Sequence, residues 1–91
     1  MTTTWQTRER IEGGWEPLTK LPAALLSMHR SAEAAVNDAL AIHAAQNGQA
    51  QLSTRVLRFI ASGLFSWCLE HVDISMSVHT EYEGRKWQIP T

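Results

Sequence analysis

The stretch from Leu52 to Val72 constrains the fold most, because its apolar side chains surround more of a helix than one neighbouring element can cover. Residues at spacings of three and four form one apolar stripe of the kind that is buried in helices. Its members are Leu52, Val56, Leu57, Ile60, Leu64, Trp67, Cys68 and His71. At about 100° per residue, Phe65 and Leu69 point more than a right angle away from Ile60. We therefore expect this helix to lie between two layers or to pack partly against another molecule.

Length and composition indicate one globular domain over residues 1–91. The chain is 44% hydrophobic and 19% charged, which is ordinary for a folded protein. Eight basic and nine acidic residues give a net charge of −1, so the main argument for a dedicated nucleic-acid binder is missing. Cys68 is the only cysteine, and no run of residues has the character of an export signal or a membrane span. We expect a cytoplasmic protein without a membrane partner.

Hairpins are predicted at both ends of the chain. The first covers residues 3–18, because the paired glycines Gly13-Gly14 supply the positive φ angles of tight hairpin turns. Its first strand alternates between a face that carries Trp5 and Thr7 and a charged, solvated face that carries Arg8 and Arg10. The second hairpin covers residues 74–89, where apolar and polar residues alternate up to a turn around Gly84.

Two helices are predicted between the hairpins. The first covers residues 22–47, from Pro22 to a carboxy-terminal cap at Asn47-Gly48, and the second covers residues 50–72. A stripe along the first helix, with Gly63 in the second, predicts close antiparallel packing of the pair. The stripe consists of Leu21, Leu25, Met28, Ala32, Ala35, Ala39 and Ile42, and Val36 and Leu40 widen it. The expected fold class is α+β in the order ββααββ, with an antiparallel sheet of about four short strands packed on the helices.

Residue types that carry catalysis or bind metals occur in two places. His79, Glu81 and Glu83 alternate along one strand and point the same way, which suits a metal ion or an acid–base pair. Cys68 and His71 are three residues apart on a helix, which suits a pair of zinc ligands. A solvated strand face explains the first set, and a buried core thiol explains the second. We therefore expect no enzyme, no metal and no cofactor.

Charged and aromatic side chains of the hairpins predict a surface that binds a partner. Arginine beside an exposed tryptophan suits protein interfaces and also nucleic-acid phosphates and bases. Glutamates are interleaved with the basic residues, which favours a protein or ribonucleoprotein partner over direct contact with nucleic acid. The residues assigned to partner binding are Arg8, Arg10, His79, Glu81, Glu83, Arg85, Lys86 and Trp87. The residues assigned to self-association are Phe59, Phe65 and Leu69.

In its overall profile the chain resembles the small inhibitors of bacterial defence that phages and mobile elements encode, such as anti-CRISPR proteins. The resemblance covers the whole chain and rests on size, on the lack of a catalytic motif and on the surface just described, not on a residue motif. It implies a non-enzymatic protein of the host cytoplasm that inhibits or modulates a larger protein or ribonucleoprotein complex by covering its surface. The near-neutral charge differs from that of acidic DNA mimics, so covering a binding surface is expected rather than mimicry of DNA.

Two alternative functions stay open. The first is a self-associating structural or assembly protein, a homodimer formed through the second helix. The second is a small nucleic-acid-binding protein that uses the basic residues Arg55, Arg58, Arg85 and Lys86.

Overall fold

A computed structural model of the chain describes residues 4–71 and 77–88. Its elements follow in the order β1 (Gln6–Ile11), β2 (Gly14–Pro17), α1 (Ala23–Asn47), α2 (Thr54–His71), β3 (Val78–Tyr82) and β4 (Arg85–Trp87). The α+β class and the order ββααββ are therefore confirmed. The predicted element limits at residues 3, 72, 74 and 89 lie outside the described residues.

The four strands form one continuous antiparallel sheet in the order β2-β1-β3-β4. β1 joins the two hairpins by pairing with β3, so that Arg8 lies opposite His79. The first turn places Gly13 at φ 92°, and the second places Glu83 and Gly84 at φ 54° and 75°. Two successive positive φ angles are what a type I′ turn requires, and such a turn matches the twist of the strands it joins. The second turn lies at Glu83-Gly84, as predicted. The first lies at Glu12-Gly13, one residue before the predicted Gly13-Gly14, because Gly14 already pairs with Ile11 as the first residue of β2.

Local capping determines where the helices begin and end. Pro22 is the N-cap residue of α1 rather than its first helical residue, and Gly48 ends the helix in the left-handed conformation, as predicted. α2 begins at Thr54, later than the predicted start at residue 50. The reason is a cap, because the Ser53 Oγ accepts a hydrogen bond of 3.3 Å from the Val56 N–H.

The core of the described residues consists of two clusters between the sheet and the helices. The first contains Leu18, Leu21, Phe65, Cys68 and Val78. The second contains Trp5, Leu57, Ala61 and Leu64. The predicted buried stripe of α2 is confirmed at Leu57, Leu64 and Cys68, but its members Val56 and His71 are exposed.

Phe65 lies inside the core with 1% of its surface exposed, so its assignment to a self-association surface is wrong. The buried face of α2 is rotated toward Ala61 and Phe65 because the helix packs on the sheet, where Phe65 joins Val78 in the first cluster. The other two residues assigned to self-association do reach the surface. Phe59 is 80% exposed and Leu69 is 38% exposed.

Helix α1 presents polar side chains to the sheet, and its predicted packing face is only partly correct. Leu25, Val36 and Leu40 pack against the core clusters, but the other predicted members within α1 do not. The buried residues of α1 are His29 and Glu33. Met28 and Ile42, which belong to the predicted apolar stripe, are 53% and 58% exposed. Gly63 of α2 does not serve close helix packing within the chain either, since a Cβ atom at this position would meet nothing within 4 Å.

The polar face of α1 completes the edge of β1 where β2 stops. β2 ends at Pro17, and the backbone of β1 continues along that edge through Thr7 to Trp5. The Glu33 Oε2 accepts a hydrogen bond of 2.7 Å from the Thr7 N–H. The side chain of Asn37 accepts one of 2.7 Å from the Trp5 N–H and donates one of 3.3 Å to the Trp5 carbonyl. Two side chains of a helix thus take the place of a neighbouring strand.

The repeat distances of helix and strand make this substitution possible. Four helical residues rise about 6 Å, and two strand residues about 6.8 Å, so successive turns of α1 meet alternate residues of β1. One turn before Glu33, the His29 Nε2 hydrogen-bonds with the Thr7 Oγ1 at 2.9 Å. Arg30 donates to the Glu33 Oε1 at 2.6 Å and to the Leu18 carbonyl. These polar groups are buried at low cost because they have partners.

We predict that Asn37→Ala destabilises the protein by about 2 to 3 kcal/mol, because two hydrogen bonds are lost and the Trp5 N–H is left buried without a partner. The matched control is Asp38→Ala, which removes an exposed side chain from the next position of the same helix and is expected to change stability by about 0.5 kcal/mol or less. Urea unfolding followed by circular dichroism measures both. Equal stability of the two variants would contradict the edge-completing role of Asn37.

Candidate functional site

The face of the sheet that points away from the helices carries most of the predicted partner-binding residues. Strand alternation and register place Gln6 and Pro17 there together with six charged or aromatic side chains. They are Arg8, Arg10, Trp15, His79, Glu81 and Lys86, and we call them the outer sheet face. Five of the six were assigned to partner binding from the sequence. Trp15 joins them because it pairs with Arg10 across the first hairpin.

His79 lies at the centre of the outer sheet face and is held from two sides. Its ring meets the ring of Trp15 edge-on, with centroids 4.1 Å apart. Its Nε2 and the Glu81 Oε2 form a hydrogen bond of 3.2 Å, and the same oxygen lies 3.5 Å from the Arg8 Nε. Only 1% of His79 is exposed, so the predicted solvated position is wrong. Trp15 reaches across β1 from β2 and covers the imidazole.

The outer sheet face carries a positive charge. The Arg10 guanidinium lies 5.7 Å from the centroid of the Trp15 ring, within the range of cation–π contacts. Lys86 lies opposite Glu81 in the β3–β4 ladder. Three basic side chains and one acidic side chain give this face a net charge of +2 with neutral His79, against −1 for the whole chain. The face therefore attracts negatively charged groups.

Glu83, Arg85 and Trp87 do not belong to the outer sheet face, although the sequence grouped them with it. Glu83 lies in the β3–β4 turn, and Arg85 pairs with Tyr82, whose side chain is on the helix side of the sheet. The Arg85 guanidinium lies 4.6 Å from the ring centroid of Trp87, which packs against the second core cluster. Glu83 and Arg85 line a cavity of about 100 Å³ with residues of the loop between the helices, including Gln49.

A buried group of Cys68, His29 and Glu33 contains the residue types of a cysteine nucleophile with its base. The Cys68 Sγ lies 4.0 Å from the His29 Nδ1, and the His29 Nε2 lies 3.8 Å from the Glu33 Oε1. Cys68 and His29 are both fully buried. Burial, with a further contribution from the Glu33 carboxylate, raises the pKa of Cys68 to about 11. A protonated and inaccessible thiol does not attack a substrate, so this group is part of the packing between α1, α2 and β1.

His71 does not approach Cys68 as a second zinc ligand would. Its ring is exposed, stacks on Trp67 and hydrogen-bonds through Nδ1 to the Trp67 carbonyl at 2.9 Å. Within residues 4–71 and 77–88, no three His, Cys, Asp or Glu side chains are arranged to hold a metal ion. Neither α1 nor α2, the helices of those ranges, combines the length and the apolarity of a membrane-spanning segment.

Comparison of the chain with protein-family models, with curated proteins and with solved structures gives no match. The geometry of the described residues is therefore the ground for assigning a function. Sequence reasoning missed the polar contact face of α1. Its signal was the spacing of His29, Glu33 and Asn37, which places three polar residues on one face of an otherwise alanine-rich helix.

We predict that the protein loses stability as the pH falls from 7.5 to 5.5 and that His29 causes most of the loss. Burial lowers the pKa of His29 below its ordinary value of about 6.5, against the opposing charge of Glu33 and with a smaller contribution from Arg30. The pKa of His29 is lower in the folded protein than in the unfolded chain. The contribution of neutral His29 to stability is therefore complete above its unfolded-state pKa, and it is lost as the pH falls from there through its folded-state pKa.

Urea unfolding at a series of pH values measures this effect. The His29→Gln variant is expected to show a shallower dependence on pH than the wild type, while the His71→Gln control, which changes an exposed histidine, keeps the wild-type slope. An unchanged slope in His29→Gln would show that another group controls the pH dependence.

Proposed function

We propose that this protein is a non-enzymatic binding protein that covers a surface of a larger protein or ribonucleoprotein complex with its outer sheet face. The observation that carries the proposal is the cluster of Arg8, Arg10, Trp15, His79 and Glu81, whose side chains hold one another in place on the side of the sheet away from the helices. Tryptophan and arginine are the residues that contribute most to binding in protein interfaces.

The arrangement of the cluster favours binding over catalysis. A general base must reach the proton that it removes, but His79 is almost completely buried and its Nε2 is bonded to Glu81. Fixed side chains lose little conformational entropy when a partner binds, which benefits affinity. The same rigidity suits recognition of a partner by shape and charge.

The charge of the outer sheet face favours a partner surface that carries acidic groups. Arg10 and Lys86 supply cations, and the ring of Trp15 offers an apolar area next to Arg10 and His79. The resemblance in profile to anti-CRISPR proteins supports a more specific form of this function. In that form the protein inhibits a bacterial defence complex in the host cytoplasm by covering the surface with which the complex binds its own ligand.

Direct binding of nucleic acid is the second candidate function, and one observation favours it. The guanidinium of Arg10 next to the ring of Trp15, within a positively charged face, is an arrangement that holds a phosphate and stacks on a base. The glutamate at the centre of the same face opposes it, because Glu81 lies within 3.5 Å of the Arg8 Nε and partly neutralises the cations.

The test is capture of the partner from a lysate of the native host by the tagged protein, with and without nuclease treatment, followed by a measurement of affinity. We predict that Arg10→Glu weakens binding about tenfold or more, since loss of an interface arginine commonly costs more than 1 kcal/mol. The matched control is Arg58→Glu, the same change at an exposed arginine of α2, which is expected to leave binding unchanged.

Each other outcome points to a different function. Equal binding by the wild type and Arg10→Glu would remove the outer sheet face from the interface. Capture of nucleic acid alone, with affinity that falls steeply between low and physiological salt, would favour the second candidate.

A further inference from the structure

The helices leave a continuous apolar surface on the side of the molecule opposite the outer sheet face. On α1, Met28, Ala35, Ala39 and Ile42 are exposed at the spacing of three and four residues that predicts a packing face. On α2, Val56 and Phe59 are exposed in the same way, followed one turn later by Gly63. We call these seven residues the outer helical face. The sheet contacts a polar side of α1, and the apolar residues of this helix that pack against the described core clusters are Leu25, Leu26, Val36 and Leu40. The four exposed residues of α1 therefore stay outside the core of the chain.

An apolar groove runs between the helices within this surface. Ala39 and Leu40 of α1 and Val56 and Ile60 of α2 line its two walls, and its volume is about 230 Å³. Phe59, which is 80% exposed, is the residue before Ile60 and lies one turn from Val56. A projecting aromatic side chain beside an apolar groove is self-complementary, because a two-fold axis can place the Phe59 of each copy in the groove of the other.

We propose that the protein forms a two-fold symmetric homodimer through the outer helical face. The charges of the chain favour a second copy as the occupant. No Asp, Glu, Lys or Arg occurs between Ala39 and Ser53, which includes much of the groove. Two identical surfaces of this kind meet without repulsion between like charges, whereas a charged partner would find nothing to pair with there.

Gly63 supports the same conclusion independently. A glycine inside a helix lowers stability relative to alanine. Among the described residues, apart from its chain neighbours and the backbone of its own helix, Gly63 has no atom within 4 Å of the place where a Cβ would be. The chain itself therefore gains nothing from the missing side chain. Close approach of a helix from a second copy would explain the glycine, because Gly63 lies on the same side of α2 as Val56 and Phe59.

The outward side of α1 and α2 as a whole, which includes the outer helical face, has an area close to that of a stable dimer interface. The 25 residues of α1 and the 18 residues of α2 span about 38 Å and about 27 Å. Two helices side by side, each about 10 Å across, present about 540 Å² in projection over their common length. The accessible surface of projecting side chains is larger than this projection and approaches the roughly 800 Å² per partner of a standard interface.

The dimer would leave both outer sheet faces free, on opposite sides of the assembly. The dimer is therefore independent of the proposed function of the outer sheet face. A dimer with two free binding faces engages a target that offers two sites with higher avidity than one chain does.

Size-exclusion chromatography with light scattering, repeated over a range of concentrations, tests the dimer. The wild type is expected to have twice the chain mass of 10.2 kDa. Ala39→Lys puts a charge on the groove wall and Phe59→Asp removes the projecting ring, and both variants are expected to be monomers with unchanged circular dichroism. We expect their dimer dissociation constants to rise about 100-fold or more, as at the centre of other interfaces.

The matched control is Ala41→Lys, the same change at an exposed alanine two residues further along α1 and on the other side of the helix. It is expected to remain a dimer. A wild type that is monomeric at every concentration would overturn the proposal and leave the outer helical face to a different partner. Equal dissociation by Ala39→Lys and Ala41→Lys would also overturn it, because the effect would then not depend on the groove.

Discussion

The fold depends on the hydrogen bonds by which α1 completes the edge of β1. Because β2 ends at Pro17, three backbone groups of Trp5 and Thr7 would be left without partners if Glu33 and Asn37 did not bind them. Each such group would cost about 1 to 3 kcal/mol. Satisfying them fixes the rotation of α1 about its axis, with its polar side toward the sheet. The fully buried apolar residues of the helices then come from α2, and Met28, Ala39 and Ile42 of the apolar stripe of α1 are left at the surface.

The sequence was sufficient for the order of elements because each signal was local. Gly13, Gly48 and Gly84 determine turns and a helix end through their own backbone angles, and strand alternation placed Arg8 and His79 on one face. The faces of the helices could not be predicted in this way. Apolar spacing does not distinguish a stripe that packs inside the chain from one that faces outward. The contact of Glu33 with Thr7 joins residues that are far apart in sequence.

The two surfaces of the molecule differ in their chemistry. The outer sheet face is charged, aromatic and internally bonded, whereas the outer helical face is apolar and uncharged along much of its length. Charged faces favour specificity and fast association, and apolar faces favour stable contact. This division fits a protein that binds a target with its sheet and a second copy of itself with its helices. His79 and Phe65, both predicted to be at the surface, are buried, the first beneath Trp15 on the outer sheet face and the second in the core.

Amide hydrogen exchange measured by nuclear magnetic resonance tests the completion of the β1 edge most directly. The amides of Trp5 and Thr7 point at side chains of α1 rather than at a strand. If Asn37 and Glu33 hold them as described, these two amides exchange as slowly as those paired between β1 and β3. Exchange of the Trp5 and Thr7 amides at the rate of solvent-exposed amides would contradict the claim that α1 completes the edge of β1. The orientation of the polar side of α1 toward the sheet would then have no explanation.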